Sequence, residues 1–312
     1  MADIRKVATR QSYGEALVEL GAAHDDFVVL DADLAVATQT SKFKAAYPDR
    51  FIDVGIAEQN LMGVAAGIAT TGRKVFASTF AMFAAGRAFE QVRNSIGYPH
   101  LHVVIGATHA GISVGEDGAT HQCNEDLALM RAIPGMTVIV PSDDVEAKAA
   151  VRAAYEAEGP VYVRLGRLPV PVIHKDDYHF ELGRGVIERE GSDVTVVACG
   201  LEVPAALEAA KTLADKGMSC EVINMATIKP LDGDLIVASA RKTGRVVTVE
   251  EHSVIGGLGS AVCDLLCEAC PTPVKKIGVN DVFGESGPAL DLLAKYGLDG
   301  AGVAETIEGF VR

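Results

Sequence analysis

No cluster of basic residues stands out anywhere in the chain. Lysine and arginine number 28 against 42 aspartates and glutamates, a formal charge of −14. That balance excludes the electrostatic footprint of a nucleic-acid binder or of a protein held on an anionic membrane. Long apolar runs are missing too. No uninterrupted stretch approaches the ~18 residues that a bilayer-spanning helix needs. The opening Met-Ala-Asp-Ile-Arg-Lys has no apolar core of signal-peptide type. A cytoplasmic location is therefore expected. Cysteine is sparse, with Cys123, Cys199 and Cys220 scattered along the chain. Cys263, Cys267 and Cys270 lie at helical spacing, on and just after an expected helix over 261–269. No fourth ligand stands at a recognised spacing, so they read as small apolar residues and no metal is expected here.

What is present suits two ordinary cores. Hydrophobic residues make up 49% and charged residues 22% of the 312-residue chain, as in globular proteins with room for two domains. Short continuous apolar runs alternate with helical stretches, the pattern of a parallel sheet covered on both faces. In the first half, strands are expected at 27–30, 51–54, 75–79, 102–108, 136–141 and 161–165. Helices are expected near 12–20, 58–71, 80–97, 124–132 and 144–157. Leu168-Pro-Val-Pro-Val-Ile then breaks the alternation, and proline's fixed φ and missing donor predict an extended linker. Beyond it come strands at 194–198, 220–223, 245–249 and 274–277. Helices are expected at 202–216, 232–241, 257–269, 288–296 and 302–309. The fold class is thus α/β: two doubly wound, mostly parallel-sheet domains, residues 1–170 and 181–312, joined by a linker over 171–180. The second domain's polar residues show no comparable convergence. Ile255-Gly-Gly-Leu-Gly-Ser reads either as a tight turn or as a phosphate cradle at a helix start.

In open parallel sheets, ligands bind beyond the carboxyl ends of the strands. Asp33, Glu58, Phe80 and His109 all fall just after expected strands. Glu58 opens a helix of Ala, Gly, Leu, Ile, Met and Val, apolar on every face and so expected to be buried. A carboxylate there is costly unless paired, and the helix terminus offsets only about 0.3–1 kcal/mol. Glu58 is either a first-turn cap or a group that meets a ligand with a proton to share. Phe80 and Phe83 sit three apart at a strand-to-helix junction, where two rings could sandwich a flat heteroaromatic group or simply pack a core. The loop from His109 to His121 holds two histidines, Glu116, Asp117 and three glycines. It suits a substrate surface, though a solvated connector would look similar. Arg167 offers a forked donor to a phosphate or carboxylate, or a surface ion pair.

Four motifs, Gly55-Ile-Ala-Glu-Gln-Asn, Ser78-Thr-Phe-Ala-Met-Phe, Gly115-Glu-Asp-Gly-Ala-Thr-His-Gln and Gly159-Pro-Val-Tyr-Val-Arg-Leu-Gly-Arg, occur in that order. Together they closely resemble the C-terminal half of transketolase, and more closely the free-standing C-terminal subunit of split, two-chain transketolases. The resemblance spans essentially the whole chain. It implies a pyrimidine-binding domain of a thiamine diphosphate enzyme up to about residue 175, followed by the transketolase C-terminal domain. It implies transfer of a two-carbon ketol unit from a ketose or ketose phosphate to an aldose or aldose phosphate. Glu58 matches the glutamate that hydrogen-bonds the aminopyrimidine ring and favours its imino tautomer. Its burial is expected to push its pKa up. Phe80 and Phe83 match the aromatic pocket around the pyrimidine, and Asp33 an aspartate beside the cofactor. Asp117 matches the reader of the acceptor's C2 hydroxyl, and His121 a residue close to the cofactor-bound fragment. His109 and Arg167 match a phosphate clamp at the far end of the sugar. Ala37 stands where the larger family commonly has a phosphate-binding Ser, and Gly86 where it has a Tyr.

The family's Gly-Asp-Gly motif, which holds Mg²⁺ or Ca²⁺ on the diphosphate, does not occur in this sequence. The resemblance therefore implies a second polypeptide, an N-terminal transketolase subunit that binds metal and diphosphate, in an α2β2 assembly. The rival readings are the β subunit of a 2-oxoacid dehydrogenase, 1-deoxyxylulose-5-phosphate synthase, whose two halves share one chain, and a non-catalytic scaffold subunit. The Asp117/His121 loop, suited to a polyhydroxy sugar, favours transketolase.

Overall fold

The computed structural model describes residues 5–312, so the opening residues of the expected first domain lie outside the described part. The larger sheet has seven strands. In spatial order they are Thr227–Lys229, Thr137–Ile139, Val161–Arg164, Val103–Thr108, Lys74–Phe80, Phe27–Asp31 and Phe51–Asp53. All neighbouring pairs are parallel except the first. Strand alternation explains the two cores on its faces. Val28, Leu30, Val75, Ala77, Val103 and Ile105 point to one. Phe27, Val29, Phe76 and Val104 point to the other, where the Phe27 ring lies 5.3–5.8 Å from Phe43, Phe76 and Tyr155. Covered on both sides, these strands can be apolar throughout.

The smaller sheet has five strands, ordered Val274–Val279, Val246–Ser253, Val194–Ala198, Cys220–Asn224 and Val186–Arg189, the last antiparallel. Both sheets are therefore mostly parallel, as read from the sequence. Among the described residues, no helix is long and apolar enough to cross a membrane.

Four local expectations need correction. Thr227–Lys229, from the second half of the chain, closes the edge of the first sheet by pairing antiparallel with Thr137–Ile139. An edge strand left open would present unpaired N–H and C=O groups, and this crossover covers them. The Pro-rich segment is not wholly extended linker, because Val170–Pro171 pairs with Lys6–Val7; at the edge of a two-stranded ribbon a proline's missing donor costs little. The region 80–97 is not one α-helix. Phe80 ends its strand, and two π-helical turns, Met82–Arg87 and Val92–Gly97, flank a short α-turn. Such wide turns are frequent at functional sites. Finally, the Glu58–Ala69 helix is not buried all round. Glu58, Leu61, Met62, Ala65, Ala66 and Ala69 face the core, while Gln59, Asn60, Gly63 and Gly67 face outward. Its core face packs chiefly on the interior strand Lys74–Phe80, so only one side of the helix has sheet to cover it.

Candidate active site

Because the central strands run parallel in register, the loops that follow them gather at one end of the sheet. The expected site residues all lie in or just beyond those loops. Glu58 follows the edge strand and is 5% exposed. Its carboxylate makes no hydrogen bond among the described residues, and its nearest charged partner is Arg87, whose Nε lies 3.9 Å from Oε2. Arg87 ends the π-helical turn that also carries Phe83, so one wide turn delivers both a cation and a ring beside the glutamate's helix. A cavity of about 330 Å³ opens over Glu58, lined also by Ile56, Gln59, Asn60 and Arg87.

The aromatic residues form one cluster. Phe80 and Phe83 stack at 5.8 Å with 14° between their planes. The His109 imidazole stacks on Phe80 at 3.9 Å. His121 meets both phenylalanines edge-on, at 6.3 and 5.4 Å. His109 is a left-handed residue, with φ of 57°, and this turn swings its ring back over the strand end. Its Nδ1 lies 2.9 Å from the Thr108 hydroxyl and its Nε2 3.5 Å from Nη1 of Arg10. Since the guanidinium can only donate, Nε2 accepts and the ring is neutral with its proton on Nδ1. Burial, then Arg10, Arg167 and His121, pull the His109 pKa down to about 3.

Asp33 is exposed and left-handed, with φ of 62°, and its N–H donates to Asp53 Oδ1 at 3.0 Å. The loop hub is instead its neighbour Asp31, fully buried, which accepts from the Thr38 and Thr40 hydroxyls at 2.7 and 2.8 Å and from the Leu34 N–H at 2.7 Å. Burial raises the Asp31 pKa to about 6.

Arg167 donates to the Val114 carbonyl and lies 3.5 Å from both Glu116 and Asp117. It shares a cavity of about 600 Å³ with Arg10, Gln11 and Gln39, closed on the far side by Pro288, Leu290 and Asp291 of the second domain. Sequence reasoning missed Arg10, Arg87, Asp31 and Asp291. Arg10 falls before the helix expected at 12–20 and so gave no signal; the structure puts it in the first turn of the Thr9–Ala23 helix, where the dipole disfavours a cation.

The Gly-rich piece after Glu250 is not a phosphate cradle. The buried Glu250 carboxylate accepts from the N–H groups of Leu258 and Gly259 at 2.6 and 2.8 Å, and so occupies that helix start itself. Nor do the second domain's polar groups fail to converge. Glu251 accepts from the Ser113 N–H at 2.5 Å, and its carbonyl takes a hydrogen bond from Arg164 at 2.9 Å, tying the domain to the loop between His109 and His121.

The transketolase pyrimidine-binding domain family matches residues 5–172, and the transketolase C-terminal domain family matches residues 183–303. The chain belongs to the transketolase family. A relative named as a C-terminal section of transketolase, from Methanocaldococcus jannaschii, is 51% identical over 301 residues, covering 96% of this chain and 94% of its own. A solved split-gene transketolase, described as an inactive β4 tetramer, superposes with a TM-score of 0.91 at 58% identity. It covers 97% of this chain and 98% of its own. The transketolase of Homo sapiens is 38% identical over 98% of this chain but only 49% of its own length, so the chain spans about half of that single-chain relative.

The residues present fit the family's coenzyme. A buried carboxyl without a hydrogen bond, at the mouth of a cavity, suits the nitrogen of an aminopyrimidine, and the stacked phenylalanines suit its ring. No group of three or more His, Cys, Asp or Glu side chains among the described residues could hold a metal ion.

Proposed function

We propose that this chain is the C-terminal subunit of a two-chain transketolase, active with an N-terminal subunit in an α2β2 assembly. It would move a two-carbon ketol unit from a ketose or ketose phosphate to an aldose or aldose phosphate. The single observation that carries this reading is the buried, hydrogen-bond-free Glu58 carboxyl, open to a cavity and 3.9 Å from Arg87 of the turn that also carries Phe83. Thiamine diphosphate, when bound, supplies the electron sink that lets a bond next to a ketose carbonyl break. Glu58 holds a proton on the pyrimidine nitrogen, and Phe80 and Phe83 hold the ring flat. Asp33, exposed at its loop tip, would approach the cofactor. Arg87 keeps a compensating charge near Glu58 while the cavity is open.

Asp117 and His121 face the sugar's reacting end, where exposed Asp117 can accept from a hydroxyl and His121 can donate or take a proton. Arg10 and Arg167 grip an anionic tail, with neutral His109 as a hydrogen-bonding partner. The diphosphate and its Mg²⁺ or Ca²⁺ belong to the partner, in keeping with the missing Gly-Asp-Gly. The outward face of the Glu58–Ala69 helix supports a partner seated there. Gly63 and Gly67 keep it smooth, and Ile56, 81% exposed, gives apolar surface in the glutamate's own loop.

Glu58→Gln in the coexpressed complex should abolish turnover, by about a thousandfold or more if the proton relay is the main catalytic electrostatic contribution, while the subunits still copurify. A scaffold would be indifferent to the change. Purified chain that turned over ketoses with thiamine diphosphate and Mg²⁺ and no second protein would overturn the two-chain reading.

A further inference from the structure

Part of the lining that the sugar cavity shares with Arg10 and Arg167 comes from the second domain. The segment Pro288 to Asp291 supplies it, at the start of the Ala289–Lys295 helix. This wall is fixed against the sugar-facing loop rather than loosely apposed. The Gln122 amide donates to the Glu285 carbonyl at 2.8 Å and to the Ile112 carbonyl at 3.1 Å, joining the two segments. A β-carbon on Gly118 would fall 2.3 Å from Ser286 Oγ, and one on Gly115 would fall 3.3 Å from the Gly287 carbonyl. Both glycines are left-handed, with φ of 74° and 84°, so loop and wall meet at backbone distance only because these positions lack side chains.

Two side chains of this wall are open to the cavity. Leu290 is 66% exposed, and Asp291 is exposed as well. The helix's lysine, Lys295, pairs at 2.5 Å with Glu285 instead of Asp291. Asp291 thus faces the cavity as an unneutralised carboxylate. The lining then holds Arg10 and Arg167 against Glu116 and Asp291, two charges of each sign, where a cavity built only to hold a dianion would be cationic.

We propose that Asp291 is a specificity-determining residue, a second-domain carboxylate that lines the same cavity as Arg10 and Arg167 and weakens its grip on anionic tails relative to uncharged sugars. The inference rests on the sugar-transferring reading of this cavity but is tested apart from turnover. Inorganic phosphate is titrated calorimetrically into the full chain and into Asp291→Asn and Asp291→Glu. Removing one carboxylate from a solvated cavity should tighten phosphate binding about three- to fivefold, while Asp291→Glu should behave as the unaltered chain. Unfolding midpoints of the three proteins check that the helix start is intact. Equal affinities for unaltered chain and Asp291→Asn would overturn the proposal, as would no phosphate binding by either at tens of millimolar, on the order of what a weak paired-arginine site should reach. In the assembled enzyme, Asp291→Asn should lower KM for an aldose phosphate by the same factor relative to the KM for the unphosphorylated aldose. An equal change for both acceptors would also overturn it. If the unaltered complex transfers nothing, the transketolase reading fails, and the phosphate titration still decides the role of Asp291.

Discussion

At the scale of single residues, His109 shows how a family expectation and local physics divide a role. A clamp for phosphate suggests a cationic histidine, yet burial and then the approach of Arg10 keep this ring neutral, with its pKa drawn down to about 3. A histidine whose folded pKa is depressed contributes stability that is present above its unfolded value, near 6.5, and lost as pH falls toward the folded one. Between pH 7 and pH 5 that loss amounts to about 2 kcal/mol for one such group. His109→Asn keeps a side chain that tolerates the left-handed backbone and removes the titration. Urea unfolding of both proteins at the two pH values should therefore show the unaltered chain losing about 2 kcal/mol more than the variant. Parallel losses would mean that His109 titrates normally.

At the scale of elements, the sequence was most legible where one strand and its loop act alone. The apolar runs beginning at Phe27, Phe51, Val75, His102 and Val161 became strands, and the chemistry-bearing residues expected after them lie at their ends or in their loops. Legibility failed where an element takes its conformation from a distant neighbour. Thr227–Lys229 is three residues long and shows no periodicity; only its pairing with Thr137–Ile139 makes it a strand. The spacing of Phe80 and Phe83 read as α-helical, but a π-turn presents nearly the same face. A β-carbon on Gly86 would lie 2.4 Å from Met82 Cε, a crowding that local pattern does not record. The glycines at 256–259 signalled a helix start correctly but not its occupant, Glu250, which precedes them on the adjoining strand. If Glu250 is what completes that helix terminus, Glu250→Gln should cost about 1–2 kcal/mol, from a weakened cap and a lost charge at the dipole. Thermal unfolding should register this as a drop of a few degrees. Added inorganic phosphate should not restore the midpoint, whereas restoration would revive the site as an anion cradle.

At the scale of the whole molecule, the two halves share more than a covalent link. The strand Thr227–Lys229 belongs to the first sheet, and one core cluster runs from Leu30 and Ile105 through Cys199 and Ile223 to Leu258 and Val262. At the junction, Arg164 is held by Asp126 at 2.8 Å and by the carbonyls of Cys123 and Glu251 at 3.2 and 2.9 Å, all buried. Removing the second half would leave that guanidinium short of an acceptor and would bare the edge of Thr137–Ile139, an invitation to intermolecular pairing. Read as sequence, the Pro-rich stretch suggested a linker between two domains; were those domains independent, the chain would unfold in two steps. The shared sheet and core instead require the halves to melt together. Scanning calorimetry of the full chain should give one endotherm with a van't Hoff enthalpy close to the calorimetric one. A fragment ending near residue 180 should aggregate rather than fold. Two resolved endotherms, or a soluble monomeric fragment with native near-ultraviolet dichroism, would show that the crossover strand is an ornament on an independent domain.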